Sequence, residues 1–391
     1  MKILHTVESY YPAIGGMQEV VKQLSERLAK LGHEVTVATK KHSERKDNIL
    51  NGVQIEEFAI EGNAVHGITG DVEKYKGFLL NSKFDIVTNF AAQQWATDIA
   101  LPILDKISGK KVSVPTGFSG LYLTEYKDYF EKMTTWMKGY DSNVFLSEDY
   151  RDINFAKANG ITKNVIIPNG AAADEFLQDS KIDIRKKLGI SKETFLILHV
   201  GSYTELKGHI EALKIYLRSK IKNGVLLFVG HRNELFQNYV NKSRRFKLWK
   251  YSNFVNSKPI VITAELTRDE TVAAYKSADL FLFPSNIECS PIVLFESMAS
   301  RLPFLVTDVG NSEEIIKWGS GGELLPTQID GSGYSHAEIG KSALKLNQIY
   351  FNKEKRNELG EKGYDAWQKN FSWEVISKKY EALYYQLLNE K

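Results

Sequence analysis

Glu288 and Glu296 stand with seven residues between them in the segment DLFLFPSNIECSPIVLFESMASRLPFLVTDVGNSEE, which runs from Asp279 to Glu314. A buried strand, Leu280 to Phe283, leads into a polar loop carrying Glu288. Ser290 is a good helix N-cap, and Pro291 suits the first helical position, where its missing N–H costs nothing. The N–H groups of Ile292 and Val293 then face the loop mouth. A helix start of this kind favours an anion by about 0.3–1 kcal/mol, and by about 2 kcal/mol when partly buried. Two carboxylates beside such a helix start suit a ligand bearing both hydroxyls and phosphate, and a nucleotide sugar is one. Glu296 also has a plainer reading, because with Ser297, Ser300 and Arg301 it forms a polar stripe that could be the helix's solvated face. Cys289 reads as a small packing residue, since no base neighbours it in sequence. A cation comes from VGSYTELKGH, a loop after a strand and before a helix, which carries Ser202 and Lys207.

The elements that must position these residues alternate between apolar runs and helical periodicity. Lys2 to Val7 is an extended apolar run, and Glu8 to Gly16 is a loop containing Pro12 and the pair Gly15-Gly16. Met17 to Leu31 repeats Val20, Leu24, Leu28 and Leu31 at helical spacing. Gly32 stops that helix, and Glu34 to Thr39 is the next strand. Runs at Phe84–Val87, Val112–Val114, Asn143–Leu146 and Asn164–Ile167 continue the set. The pattern restarts with a short polar helix from Lys181 to Gly189 and strands at Thr194–Val200, Val225–Val229, Pro259–Thr263, Leu280–Phe283 and Phe304–Thr307. This alternation predicts two α/β domains with parallel sheets covered by helices. The expected division is residues 1–170 and 171–372, hinged near Pro168-Asn169-Gly170 and the alanines Ala171 to Ala173. From Trp373 to Leu388 the chain is amphipathic, with Val375, Ile376, Tyr380, Leu383, Tyr384 and Leu387 on one side.

Composition narrows the function. At 391 residues, 43% hydrophobic and 12% aromatic, the chain can bury two cores. The net charge of +3 is too small to imply nucleic-acid binding. A single cysteine excludes an intrachain disulfide framework and fits a reducing cytoplasm. The N-terminus shows no apolar run of signal-peptide length, and no window approaches the roughly 20 apolar residues of a membrane span. Contact with a membrane would therefore be peripheral, at the inner face. The stretch Lys242 to Lys250 mixes cations with Phe246 and Trp249 and reads as a solvated helix face with two packed aromatics. The histidines show no metal-ligand spacing, and Asp183 stands in D-I-R rather than Asp-x-Asp, so no metal or other cofactor is expected.

The E-x7-E pattern after F-P-S, followed by E-S-M-A-S-x-x-P and T-D-V-G, resembles the retaining GT-B glycosyltransferases of family 4, and the likeness covers nearly the whole chain. It implies the GT-B architecture, with two doubly wound Rossmann-like domains facing across a cleft and the final helix, here 373–391, crossing back onto the first. The first domain would then be the acceptor side and the second the nucleotide-sugar side. In the family the second Glu, here Glu296, binds ribose hydroxyls, and the first, Glu288, lies against the transferred sugar. Lys207 would sit on the diphosphate, and the loop amides around Cys289 and Ser290 would hold sugar and phosphate. Gly15-Gly16 is similar to the glycine loop that lets backbone approach the donor closely. Three positions depart from the pattern. Ser202 stands where an arginine is usual, leaving His209, His231 and Arg232 as candidates for a replacement cation. Pro115 to Gly120 carries no histidine where many relatives have one, so Thr116 or Gly117 would occupy that space. Arg301 replaces a glycine. The resemblance implies transfer of a hexose-type sugar from a nucleotide-diphosphate sugar, UDP being the expected nucleotide, to a saccharide, lipid-linked or protein acceptor in surface-glycan or lipid-linked saccharide assembly. An epimerase of the same fold and a non-catalytic nucleotide-sugar-binding subunit are the alternatives.

Overall fold

The computed structural model describes residues 1–231, 233–251 and 260–390, with the side chains of 243–251 excluded. The aromatic-basic stretch from Ser243 onward and Arg232 therefore lie outside the described side chains. Two compact units are present, Met1–Asn169 with Trp373–Lys391 and Gly170–Ser372.

The first unit is built on an eight-stranded sheet. Its central strand, Lys2–Thr6, pairs in parallel with Glu34–Lys40 on one side and Ile86–Phe90 on the other. Beyond Ile86–Phe90 come Lys110–Val114, Ser142–Phe145 and Asn164–Ile166; beyond Glu34–Lys40 come Val53–Phe58 and the antiparallel Ile49–Leu50. The helix Trp373–Asn389 belongs to this unit and buries Ile376, Tyr380, Leu383, Tyr384 and Leu387. Polar ties fix it there. Arg27, on helix Gly16–Lys30, donates to Glu374 at 2.7 Å, and the Tyr384 hydroxyl lies 2.7 Å from that of Thr88.

The second unit carries a six-stranded, all-parallel sheet. In order it runs Ile260–Ala264, Gly224–Val229, Phe195–Val200, Leu280–Phe283, Phe304–Val306 and Gly322–Leu324. Alternate side chains of a strand point to opposite faces. Leu196, Leu198, Leu227, Phe281 and Phe283 enter one buried cluster, while Phe195, Ile197, Phe228, Leu280 and Leu282 enter another. Burial on both faces explains why these strands read as unbroken apolar runs. Chain order reverses where Phe195–Val200 meets Leu280–Phe283, paired as Ile197 with Leu280 and Leu198 with Phe281. Such a switch point splays the following loops apart and opens a crevice at the carboxyl ends of the strands. The loop with Lys207 follows the first of these strands, and the loop with Glu288 follows the second.

Arg301 shows why a glycine is usual at its position. It adopts φ +53°, the left-handed region in which a side chain costs about 1–2 kcal/mol. Its guanidinium stacks 3.4 Å from the Tyr364 ring centroid, which offsets part of that strain.

Candidate active site

Lys207 closes a short turn, Glu205–Lys207, and Gly208 begins helix His209–Arg218. The Lys207 ammonium donates to Glu288 Oε1 at 2.6 Å, joining the two loops at the switch point. Ser285 Oγ donates to the same oxygen at 2.8 Å. Backbone bonds fix the loops to each other as well, with Asn286 N donating to the Leu206 carbonyl at 2.8 Å. On the far side, Gly310 at φ +57° lies so close that a Cβ would come within 2.5 Å of the Cys289 carbonyl oxygen. Glycine there lets Asn311 N donate to the same carbonyl at 2.9 Å. Sequence position thus named Lys207 and Glu288 separately; the fold brings them into contact.

The next helix is Ile292–Ala299, capped by Pro291 at φ −70°, ψ 111°, with no side-chain cap bond. Ser290 is therefore not the N-cap, and Pro291 is not the first helical residue. Proline's fixed φ is compatible with an extended ψ, so it serves one position earlier than expected. Ile292 and Val293 remain in the first turn, where N–H groups have no acceptor within the helix. Cys289 and Ser290 lie in the loop leading to that turn, and Ser290 is buried.

Glu296 is 3% exposed, so the polar stripe is not a solvated face. Its Oε1 takes a bond from Arg268 Nη1 at 2.6 Å, and Arg268 also holds Glu175. Sequence reasoning missed Arg268, Glu175 and Ser285. The one available signal was T-R-D-E, a capping box after a strand, which seats Arg268 at the first position of helix Arg268–Ser277.

The candidates for a cation replacing the absent arginine behave differently from one another. His209 is buried, with its ring 4.3 Å from that of His199 and 4.6 Å from that of Tyr203. Burial pulls its pKa down to about 4, so it is neutral near pH 7. His231 is exposed and lies 2.8 Å from Glu265. Ser202 is exposed in the Lys207 loop, and its carbonyl accepts from Thr204 N. The neutral His209 has a cost in acid. Its folded pKa lies below the value near 6.5 of an unfolded chain, so below pH 6.5 the unfolded state takes up a proton that the folded state refuses. Stability is full above pH 6.5 and is lost as pH falls toward 4, by about 2 kcal/mol between pH 7 and pH 5 for this group. Urea midpoints across that range should therefore fall less for His209→Phe than for the wild type. Parallel falls in the two proteins would reject the assignment.

In the first unit, Gly16 opens helix Gly16–Lys30, and a Cβ there would meet nothing within 4 Å. Gly15 is extended at φ 174°, so neither glycine is demanded by backbone conformation. Gly16 leaves open space, whereas a Cβ on Gly15 would come within 2.3 Å of Gln18 Oε1. After strand Lys110–Val114, Thr116, Gly117 and Phe118 all have positive φ, as do Ala91 and Gln93 after Ile86–Phe90. Buried Asp152 accepts from Gly117 N at 2.8 Å, and burial raises its pKa to about 6. Backbone strain of this density concentrates at ligand-handling loops. Among the described residues, no group of three or more His, Cys, Asp or Glu side chains could hold a metal ion.

Known proteins share this architecture. The model for glycosyl transferases group 1 matches residues 180–366, and that for glycosyltransferase family 4 matches residues 14–175. The chain is 26% identical over 321 residues to the lipopolysaccharide glucosyltransferase WaaG of Escherichia coli, covering 79% of this chain and 81% of that one. Among solved structures it resembles sucrose-phosphate synthase from Thermosynechococcus elongatus, with a TM-score of 0.75 at 18% identity over 100% of this chain and 99% of the other. Anabaena HepE, solved with UDP and glucose, gives a TM-score of 0.73 at 14% identity over 99% and 100%. With a family match on each unit and this fold throughout, the chain belongs to the GT-B glycosyltransferases.

Proposed function

We propose that the protein is a retaining, metal-independent glycosyltransferase that moves a hexose from UDP-hexose to an acceptor hydroxyl in surface-glycan or lipid-linked saccharide assembly. The observation that carries this reading is the Lys207–Glu288 contact of 2.6 Å at the switch point of the second unit's sheet. A sugar donor brings a diphosphate, which competes for the Lys207 ammonium and frees Glu288 to accept from sugar hydroxyls. Charge-assisted bonds of that kind contribute about 1.5–3 kcal/mol each. In the transfer, the bond between the sugar C1 and the phosphate oxygen breaks, and its electron pair passes to the diphosphate. The acceptor oxygen bonds C1 on the same face, and its proton goes to the departing phosphate oxygen. Lys207 and the helix start at Ile292 and Val293 oppose the charge that grows on that oxygen. Glu296 takes the ribose hydroxyls. The UDP and glucose seen with HepE and the glucosyl transfer in WaaG's name support a UDP-hexose. WaaG's lipopolysaccharide substrate favours a glycolipid-type acceptor. No described helix is long and apolar enough to cross a membrane.

A panel of UDP-, GDP- and ADP-sugars tests this reading on purified protein. Slow hydrolysis of a UDP-hexose, releasing UDP and the free sugar with retained anomeric configuration, is expected. Interconversion of sugars without release, or binding without turnover, would replace the transferase with an epimerase or a binding subunit.

A further inference from the structure

Glu296 sits at the end of a line of alternating charge. Its carboxylate is 4% exposed, Arg268 is 36% exposed, and Glu175 beyond it is 24% exposed. Arg268 Nη1 donates to Glu296 Oε1 at 2.6 Å, while Nε and Nη2 both donate to Glu175 Oε2, at 3.1 and 2.6 Å. Both edges of the planar guanidinium are thus committed, and the Phe176 ring lies 5.7 Å from it. The backbone beneath is fixed by the capping box, in which Thr267 N donates to Glu270 Oε2 at 3.1 Å and Glu270 N to Thr267 Oγ1 at 3.4 Å. Tyr275 also faces Glu296; burial and that carboxylate's charge drive its phenol pKa well up, so it stays neutral.

A carboxylate this deep is ionised at a large desolvation cost, which a neighbouring guanidinium offsets. Arginine supplies more than charge, because its rigid fork fixes direction where a lysine would swivel. A carboxylate oxygen has two acceptor sites, so Oε1 can keep Arg268 while the group receives ligand hydroxyls.

We propose that Arg268 is a positioning residue for the sugar donor, holding Glu296 ionised and oriented toward the nucleotide's hydroxyls, with Glu175 anchoring the guanidinium. The proposal rests on the reading of Glu296 as the hydroxyl-binding acid. Without the guanidinium, buried Glu296 protonates more readily, so its hydroxyl binding becomes dependent on pH.

Calorimetric titration with UDP at pH 6.0 and pH 8.5 tests this on the wild type, Arg268→Gln, Glu296→Gln and the double variant. At pH 6.0 Arg268→Gln should bind about 10- to 100-fold more weakly than the wild type, the range set by one charge-assisted bond. Part of that loss should return at pH 8.5. Glu296→Gln should be weak at both pH values, and the double variant should match it rather than multiply the two losses. Arg268→Lys should restore a flat pH profile with part of the affinity. Circular dichroism checks folding, and if Arg268→Gln is unfolded the same cycle is run with Arg268→Lys. Wild-type protein that binds neither UDP, GDP nor ADP would sink the donor-site reading itself. Wild-type binding of UDP, with the Arg268 variant indistinguishable from it or with multiplicative losses in the double variant, would overturn the role of Arg268 alone.

Discussion

Lys207→Met is expected to lower kcat for donor turnover by about 10²–10³, the usual cost of removing one group aimed at developing charge. Methionine keeps the length of the side chain and removes the ammonium, so the change isolates charge from packing. In the resting protein Lys207 is partnered by Glu288, and Ser285 Oγ supports the same carboxylate oxygen. The ammonium therefore does not have to be brought in from solvent when the donor arrives; it changes partner within one loop pair. Ground-state phosphates already carry charge, so KM rises as well. The leaving diphosphate gains more, so the larger loss falls on kcat. Removing the lysine also leaves Glu288 ionised near incoming phosphate, and Lys207→Met/Glu288→Gln should recover part of the donor affinity lost by Lys207→Met. Initial rates of UDP-sugar hydrolysis across donor concentrations measure both parameters. A kcat within threefold of wild type would remove Lys207 from the chemistry.

How much of this could be read from residues alone depended on how each feature is encoded. Strands buried on both faces, such as Leu280–Phe283, advertise themselves as apolar runs, so five strands of the second sheet were accessible, while the three-residue Gly322–Leu324 and the spatial order of the strands were not. Val53–Phe58 was not, because VQIEEF carries two acids and its burial pattern is broken. The two-stranded pairs Ile60–Asn63 with Gly67–Gly70 and Thr327–Ile329 with Ser335–Ala337 were missed too, being only three or four residues long. Within the site, the chemical types at 207, 288 and 296 were legible from their local contexts. Their partners were not. Lys207 meets Glu288 across 81 positions of sequence only because the two parent strands are neighbours in one sheet. Arg268 meets Glu296 and Glu175 through three separate segments, and no local spacing records that. The one-residue error at Ser290 and Pro291 has a simpler origin, since proline's φ is satisfied both before and inside a helix start.

Gly208→Ala is the second large effect, and it acts on stability and activity together. Gly208 has φ +70°, and a Cβ built on it would lie 1.8 Å from the Pro284 carbonyl oxygen and 2.4 Å from its carbon. Backbone, not a flexible side chain, stands in the way, and that backbone opens the loop carrying Glu288. Left-handed strain costs about 1–2 kcal/mol for an alanine, and forced displacement of a packed neighbour adds about 1–3 kcal/mol. Gly189 provides the matched control. It has nearly the same φ, +67°, yet nothing lies within 4 Å of its Cβ position, so Gly189→Ala should show the conformational cost alone. At about 2–4 °C per kcal/mol for a domain of this size, thermal unfolding should separate the two substitutions by several degrees. The clash also pushes the Lys207 turn away from the Glu288 loop, so Gly208→Ala should lose donor turnover below its melting temperature while Gly189→Ala keeps it. Equal Tm values for the two alanine variants, with turnover preserved in both, would mean that the two loops do not depend on the close approach at Gly208.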